Sequence, residues 1–334
     1  MINLSLRVAK IKDILGMIFA GAMFVAPAVS CSSRLGERNV DVDETQQGWG
    51  QPLISVACMR EEPRHGSELV SQCLLGVPVA IMGRDGEWLD VMTPEGYRGW
   101  VNQSSIAEKS EDEMAAWRTM ERYVVDSPTE IRVYADSSLD AAEEVVTDLV
   151  DGCIVEGSAT RTPNVLAVTL PDGRSGYADK SQFMEIGEWS TQPFDQEKII
   201  ARAEALMGVP YLWGGLSTKS MDCSGLVKLC YWSNGIVVMR DASQQARCGT
   251  AVDRDSIERG DLLFFGNAET GKVTHVGIYE GDSMYVHSSG RVRRNSLDKE
   301  SPQYMEKHYL SSRRFGDAVG SDGIMSVKNH PWFF

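Results

Sequence analysis

Tyr211-Leu212-Trp213-Gly214-Gly215, followed by Met221-Asp222-Cys223-Ser224-Gly225-Leu226-Val227, contains the residue on which the reading of this chain turns. After Cys223, the spacing of Leu226, Val227, Cys230 and Tyr231 predicts an amphipathic helix, and Asp222 is a good cap for its first turn. A thiol at a helix N-terminus feels the positive end of the helix dipole, so the sequence predicts a bias toward thiolate, the reactive form. The backbone N–H at that position would point to where an oxyanion forms.

Two further segments supply partners. Gly260-Asp261-Leu262-Leu263-Phe264-Phe265 precedes Val273-Thr274-His275-Val276-Gly277-Ile278-Tyr279, and then comes Tyr285-Val286-His287-Ser288-Ser289-Gly290. Both histidines lie on strand-like runs, 12 positions apart. Adjacent antiparallel strands would align them, with Cys223 as nucleophile, His275 as base and His287 orienting its ring. A lone cysteine is more often a small buried hydrophobe than a nucleophile. Here the joint pattern decides, because only five histidines exist and two follow the cysteine in matching contexts. His65, His308 and His330 read as loop or surface residues, and Trp213 and Trp100 as packing residues.

Upstream, residues 53–105 carry short β-like runs broken by turn residues, and residues 128–188 repeat the layout. Gly76-Val77-Pro78-Val79 matches Gly152-Cys153-Ile154-Val155, and Pro94-Glu95-Gly96-Tyr97-Arg98-Gly99-Trp100-Val101 matches Pro171-Asp172-Gly173-Arg174-Ser175-Gly176-Tyr177-Ala178. The distance from first Gly to Pro is 18 residues in one copy and 19 in the other. Recurrence of a turn and its spacing predicts two copies of one small β-barrel. Residues 106–127, with Met114, Trp117 and Met120, predict a linker helix. A third domain is expected over 195–315, with a C-terminal tail over 316–334 whose Trp332-Phe333-Phe334 docks on the body.

The N-terminus reads as an export signal over 1–31, with Arg7, Lys10 and Lys12 before an uncharged stretch from Ile14 to Ser30. Ala26-Pro27-Ala28 suits an ordinary signal peptidase. Ala28-Val29-Ser30-Cys31 resembles a lipoprotein box, with Cys31 as the lipidated residue and Ala28 where such boxes usually carry Leu. Residues 32–52 are polar and acidic, as a tether would be.

The chain has 334 residues, 43% hydrophobic and 24% charged, enough for two or three folded domains. Its net charge of -14 argues against nucleic acid as a partner. The seven cysteines are spread too thinly for a disulfide scaffold and form no CxxC pair, so neither metal nor cofactor is expected. Cys58 and Cys73 could pair if adjacent strands carry them, but free buried thiols are the stronger expectation.

The segments Tyr-Leu-Trp-Gly-Gly, Asp-Cys-Ser-Gly-Leu, Arg-Gly-Asp-Leu, His-Val-Gly-Ile-Tyr and Val-His-Ser occur in the order found in the NlpC-type cell-wall cysteine peptidases, which this chain resembles over 195–315. The upstream repeats resemble bacterial SH3-like domains. The resemblance implies an α+β fold, a papain-like cysteine peptidase core preceded by two small SH3-like β-barrels. It implies an endopeptidase cutting the γ-D-glutamyl-L-diamino-acid bond of peptidoglycan stem peptides with a free N-terminal L-Ala. It further implies Tyr211 at the oxyanion site and Asp222, Ser224 and Asp241 as contacts for the L-Ala end. Glu68 and Tyr97 of the first barrel would reach over the cleft to the ammonium. Ala242 stands where the family often has Ser. The expected protein is a monomer in the cell envelope, periplasmic or anchored by lipid. Two other readings compete: an amidase or hydrolase acting on intact peptidoglycan, and a non-catalytic wall-binding lipoprotein.

Overall fold

A computed structural model describes residues 46–334, apart from Ala141, Glu143 and Glu306. The export segment, Cys31 and most of the expected tether lie outside the described residues.

The first seven strands are β1 (Gly48–Pro52), β2 (Val56–Arg60), β3 (Leu69–Leu74), β4 (Val79–Asp85), β5 (Trp88–Met92), β6 (Arg98–Asn102) and β7 (Ile106–Lys109). They form one antiparallel sheet in the order β3-β2-β6-β5-β4-β1-β7. Its inner face is apolar by alternation: Ala57, Met59, Val79, Ile81, Leu89, Val91 and Val101 form a core of their own. The sheet begins five residues before the expected domain, inside the range read as tether. Gly48-Trp49-Gly50-Gln51-Pro52 has one large apolar residue, so its strand character comes from pairing with β4 and β7 and not from pattern.

Helix α1 (Glu111–Thr119) opens with a reciprocal cap between Ser110 and Glu113. It is shorter than the expected linker helix. Met120 is extended, and Arg122-Tyr123-Val124-Val125, rich in β-branched and aromatic residues, is strand β8 (Arg122–Val125). Strands β9 (Ile131–Tyr134), β10 (Val145–Leu149), β11 (Ile154–Ala159), β12 (Val165–Thr169), β13 (Ser175–Asp179) and β14 (Phe183–Glu185) complete a second sheet. Its order is β10-β9-β13-β12-β11-β8-β14, the same path strand for strand as the first. The repeated turns agree as well: Gly76 and Gly152, and Gly96 and Gly173, all have φ between 72° and 86°.

Helices α2 (Ile186–Thr191) and α3 (Gln196–Ala205) lead into the third region. There a short hairpin of β15 (Leu216–Ser217) and β16 (Ser220–Met221) precedes helix α4 (Cys223–Trp232). All ten residues of α4 are buried, the polar Ser224 and Lys228 among them, so it is a central helix. Next come β17 (Ile236–Val238), α5 (Ala242–Gln245), β18 (Thr250–Val252), β19 (Leu262–Gly266), β20 (Val273–Gly281), β21 (Met284–Ser289), β22 (Arg291–Ser296), β23 (Tyr309–Arg314) and β24 (Ile324–Ser326). Six of these strands form an antiparallel sheet, β18-β23-β19-β20-β21-β22, against which α4 packs, an α+β core.

The expected tail is part of the body. β24 pairs with β17, Trp332 meets Trp49 edge-on at 5.0 Å, and Phe333 is fully buried beside Trp232. His330, read as a surface residue, is buried and bonds the Pro94 carbonyl at 3.0 Å. One apolar cluster runs from Trp49 and Leu74 through Ile154 and Trp189 to Leu226 and Phe333, while the inner face of the first sheet keeps its own core. All described cysteines are free. Cys73 is buried, but Cys58, on the opposite face of the neighbouring strand, is exposed.

Candidate active site

Asp222 caps α4 and fixes Cys223 at its first position. The Asp222 Oδ1 accepts from the Gly225 N–H at 2.7 Å and its Oδ2 accepts from the Gly214 N–H at 2.9 Å. Arg240, wholly buried, adds a two-pronged bond at 3.1 and 2.7 Å, and the Ser224 hydroxyl donates at 3.2 Å. Gly225 lets this happen: a Cβ there would lie 2.1 Å from the Gly215 carbonyl oxygen. Asp222 therefore stands in the site, but five protein donors occupy its oxygens. These bonds hold the nucleophile's helix and the 211–215 segment together. Ser224 is tied into the same network by Arg240 at 3.0 Å.

Cys223 is 7% exposed. The backbone N–H groups of Val276 and Ser224 face its sulfur and favour thiolate. Burial and the nearby Asp222 charge oppose them and push the thiol up to about 11. Desolvation thus opposes the helix dipole and the backbone N–H groups that favour thiolate. Tyr211 lies close enough for burial and the Cys223 charge to raise its hydroxyl to about 12, so it remains an O–H donor.

The two histidines meet as expected. β20 and β21 pair with Ile278 opposite Val286, which sets His287 opposite Gly277 and His275 diagonal to it on the same face. His275 Nε2 and His287 Nδ1 are 2.6 Å apart, and His287 Nε2 lies 2.7 Å from Asn295 Oδ1. Asn295 Nδ2 donates to the Gln303 carbonyl at 2.6 Å, so Oδ1 can only accept. The protons then follow. His287 carries its proton on Nε2, His275 carries its own on Nε2, and His275 Nδ1 is left as the free basic nitrogen. Burial first, then Lys307, His287 and Arg293, lowers His275 to about 2, while burial holds His287 near 4. Both rings are neutral over the physiological range.

The sequence reading missed Asn295 and Arg240. Asn is depleted in strands, so an Asn on β22, two strands from His275, was the available signal. Arg240 gave none, because its partner lies 18 positions away.

The first sheet reaches this region through β3 and the β5–β6 turn. Gln72 Oε1 accepts from the Leu216 N–H at 2.7 Å, and Arg240 Nε donates to the Ser71 hydroxyl at 2.9 Å. The Leu69 carbonyl lies where a Cβ on Gly214 would be, 2.5 Å away, which places exposed Glu68 beside the 211–215 segment. Tyr97 is buried facing Asp241; burial first and then the Asp241 charge raise its hydroxyl. Burial also raises the Asp241 carboxyl, against Arg240 and the Tyr97 hydroxyl, which lower it. Trp213, read as packing, is instead 59% exposed. Glu95, in the same turn as Tyr97, forms a buried ion pair with Lys228 of α4 at 3.1 Å.

Among the described residues, no group of His, Cys, Asp and Glu has the disposition to hold a metal ion, and no helix is long and apolar enough to cross a membrane.

Comparison with known proteins gives matches over both regions. The family described as NlpC/P60 matches residues 208–314, and the bacterial dipeptidyl-peptidase SH3 domain matches residues 59–106. A γ-D-glutamyl-L-lysine dipeptidyl-peptidase of Bacillus cereus is 30% identical over 265 residues, 75% of this chain and 76% of the relative. Dipeptidyl-peptidase 6 of Lysinibacillus sphaericus is 30% identical over 269 residues, 76% of this chain and 93% of the relative. A crystal structure of an NlpC/P60 family protein from Bacillus cereus superposes with a TM-score of 0.69 over 80% of this chain and 99% of that one, at 23% identity, a likeness of fold.

Proposed function

The chain belongs to the NlpC/P60 family of cysteine peptidases, and we propose that it hydrolyses the γ-D-glutamyl-L-diamino-acid bond of peptidoglycan stem peptides that begin with a free L-Ala. The observation that carries the peptidase part is the relay from His275 through His287 to Asn295, at 2.6 and 2.7 Å, behind a cysteine at a helix start. The observation that carries the substrate part is Tyr97 of the first sheet, buried against Asp241.

In this reading, the Cys223 thiol gives its proton to His275 Nδ1 as sulfur attacks the γ-carbonyl carbon of D-Glu. The tetrahedral oxyanion takes hydrogen bonds from the Cys223 N–H and the Tyr211 hydroxyl. His275, now an imidazolium steadied by His287 and Asn295, protonates the leaving amine of the diamino acid. Water, deprotonated by His275, then releases L-Ala-D-Glu from the thioester and restores the thiol. Because thiol and imidazole both rest neutral, the proton moves with the attack and no ion pair is stored beforehand.

The L-Ala ammonium would sit between Asp241, Tyr97 and Glu68, with Ser224 lining the floor. Asp241 is suited to receive it, because its half-buried carboxylate gains from a cation and the Tyr97 hydroxyl orients it. Asp222, saturated by its own donors, positions this machinery. A second SH3-like barrel is read in residues 122–185 from its identical strand order. Cys31 is proposed as a lipid anchor and the protein as a monomer of the cell envelope.

Mass spectrometry of products from L-Ala-γ-D-Glu-L-diamino-acid peptides tests the proposal. The expected products are L-Ala-D-Glu and the diamino acid. Cleavage of another bond, or cleavage of whole wall polymer with the free peptide left intact, would overturn it.

A further inference from the structure

The two flanks of Cys223 carry opposite charge. One holds Asp241 and Glu68, as described above. On the other, the chain leaving β22 returns along the histidines. Asn295 holds the Gln303 carbonyl, the Gly266 N–H donates to the His308 carbonyl at 3.0 Å, and Tyr309 pairs with Phe265, whose ring lies 6.0 Å from that of His275. This path carries half-buried Lys307 past the histidines; burial lowers its pKa, and Cys223 and Arg293 are near enough for their charges to act on it. Arg293 stands opposite His287 in the β21–β22 register. Its Nη2 touches the Met305 sulfur at 3.7 Å, and its Nε is buried with no partner.

Among the described residues, neither Lys307 nor Arg293 has a carboxylate within ion-pairing distance, although the chain has a net charge of -14 and pairs Arg294 next door with Glu280 and Glu204. Half-buried cations without a counter-charge are costly. Nor do they serve the proton relay, since both disfavour the imidazolium that His275 must become. An anion brought by the substrate would offset both costs. The leaving amine is protonated by His275, so the leaving residue lies on this flank. In an α-amino acid the carboxylate is a single carbon removed from that nitrogen.

We propose that Lys307 and Arg293 form a subsite for a substrate carboxylate on the leaving side of the scissile bond, the α-carboxylate of the diamino acid. The proposal rests on the peptidase reading above. It makes the cleft bipolar: an ammonium is read on one side of Cys223 and a carboxylate on the other, which fixes the direction in which a short peptide lies.

The test uses the full chain and three peptides: L-Ala-γ-D-Glu-L-lysine with both carboxylates free, the same peptide amidated at the lysine carboxyl, and the same peptide amidated at the D-Glu α-carboxyl. For the unsubstituted protein, kcat/KM should fall at least ~10-fold on amidating lysine, the size of one charge-assisted contact. Lys307→Met should bring that acid-to-amide ratio close to one, and Lys307→Arg should restore it. The ratio is the readout because removing Lys307 also changes the basicity of His275. Equal rates on acid and lysine amide, or a Lys307→Met ratio equal to that of the unsubstituted protein, would overturn the proposal. A preference that tracks the D-Glu amide would overturn its leaving-side assignment. Calorimetric binding of the same peptides to Cys223→Ala protein reads the ratio without chemistry. Acid-selective binding without hydrolysis by the intact protein would sink the peptidase reading and leave this subsite standing.

Discussion

Tyr97 and Arg174 each follow a positive-φ glycine in the same turn of two sheets with the same strand order, and they serve different ends. Tyr97 is buried against Asp241 in the cleft. Arg174 stays exposed, bonded to Asp172 at 2.6 Å and to the Leu53 carbonyl at 3.0 Å, where it ties the second sheet to the first. The second sheet meets α4 through Gly152, whose carbonyl accepts from Trp232 Nε1 at 3.1 Å, on the side away from Cys223. One barrel path thus supports two uses. The turn supplies the same platform twice, and the residue after the glycine decides whether it faces Asp241 or braces the body.

The largest expected effect sets the scale for that contrast. Cys223→Ala should lower hydrolysis by ~10⁴-fold or more with an unchanged unfolding transition, because a covalent nucleophile is lost while its helix keeps its cap. If a substitution in the second sheet matched that loss without unfolding the protein, the division between the sheets would fail.

Next comes docking. Glu95 and Lys228 are buried to 2% and 9% side-chain exposure, so Lys228→Met leaves a buried carboxylate alone, and urea unfolding should report a loss of ~3–5 kcal/mol. Lys219 and Asp148, a pair reaching the second sheet, keep 43% and 31% exposure. Lys219→Met should cost under ~1 kcal/mol. Equal losses would mean that the first sheet is no more firmly seated than the second.

Substrate reading should divide in the same way. Tyr97→Phe and Glu68→Gln should each lower kcat/KM on free-amine peptides ~10-fold or more, while alkylation of Cys223 by iodoacetamide stays unchanged. Arg174→Ala and Glu144→Gln should stay within about twofold on both measures, Glu144 preceding β10 as Glu68 precedes β3. An effect on alkylation would move Tyr97 from recognition to positioning of the nucleophile.

The smallest effect concerns the resting state. With the thiol raised to about 11, thiolate is scarce at neutral pH and grows as pH rises toward that value. Alkylation of Cys223 should climb roughly tenfold per pH unit between about 7 and 10. A plateau near neutrality would show a stored thiolate–imidazolium pair.

What the sequence revealed and what it hid follow from locality. The capped helix at Cys223, the strands of His275 and His287, and both repeated turns depend on neighbours within a few residues, and all were legible. Strand β1 and the C-terminal segment were not, because Gly48–Pro52 and Ile324–Ser326 become strands by pairing with distant partners. The thiol's surroundings were only half legible for a related reason. The helix dipole is visible in a motif, but the burial that opposes it comes from packing. Asp222 was legible as a helix cap, but its pairing with Arg240 was not, because the two lie 18 positions apart.

The central claim is that the first sheet closes the cleft around a free amino end. It is tested most directly by the ratio of kcat/KM for L-Ala-γ-D-Glu-L-diamino acid to that for its N-acetyl derivative. Acetylation removes the ammonium and adds bulk beside Asp241 and Tyr97. The account predicts a ratio of at least ~10², equivalent to ~2.7 kcal/mol, shrinking toward one in Tyr97→Phe, Glu68→Gln protein. Equal rates on the two peptides would contradict it and identify an open cleft that accepts the intact wall.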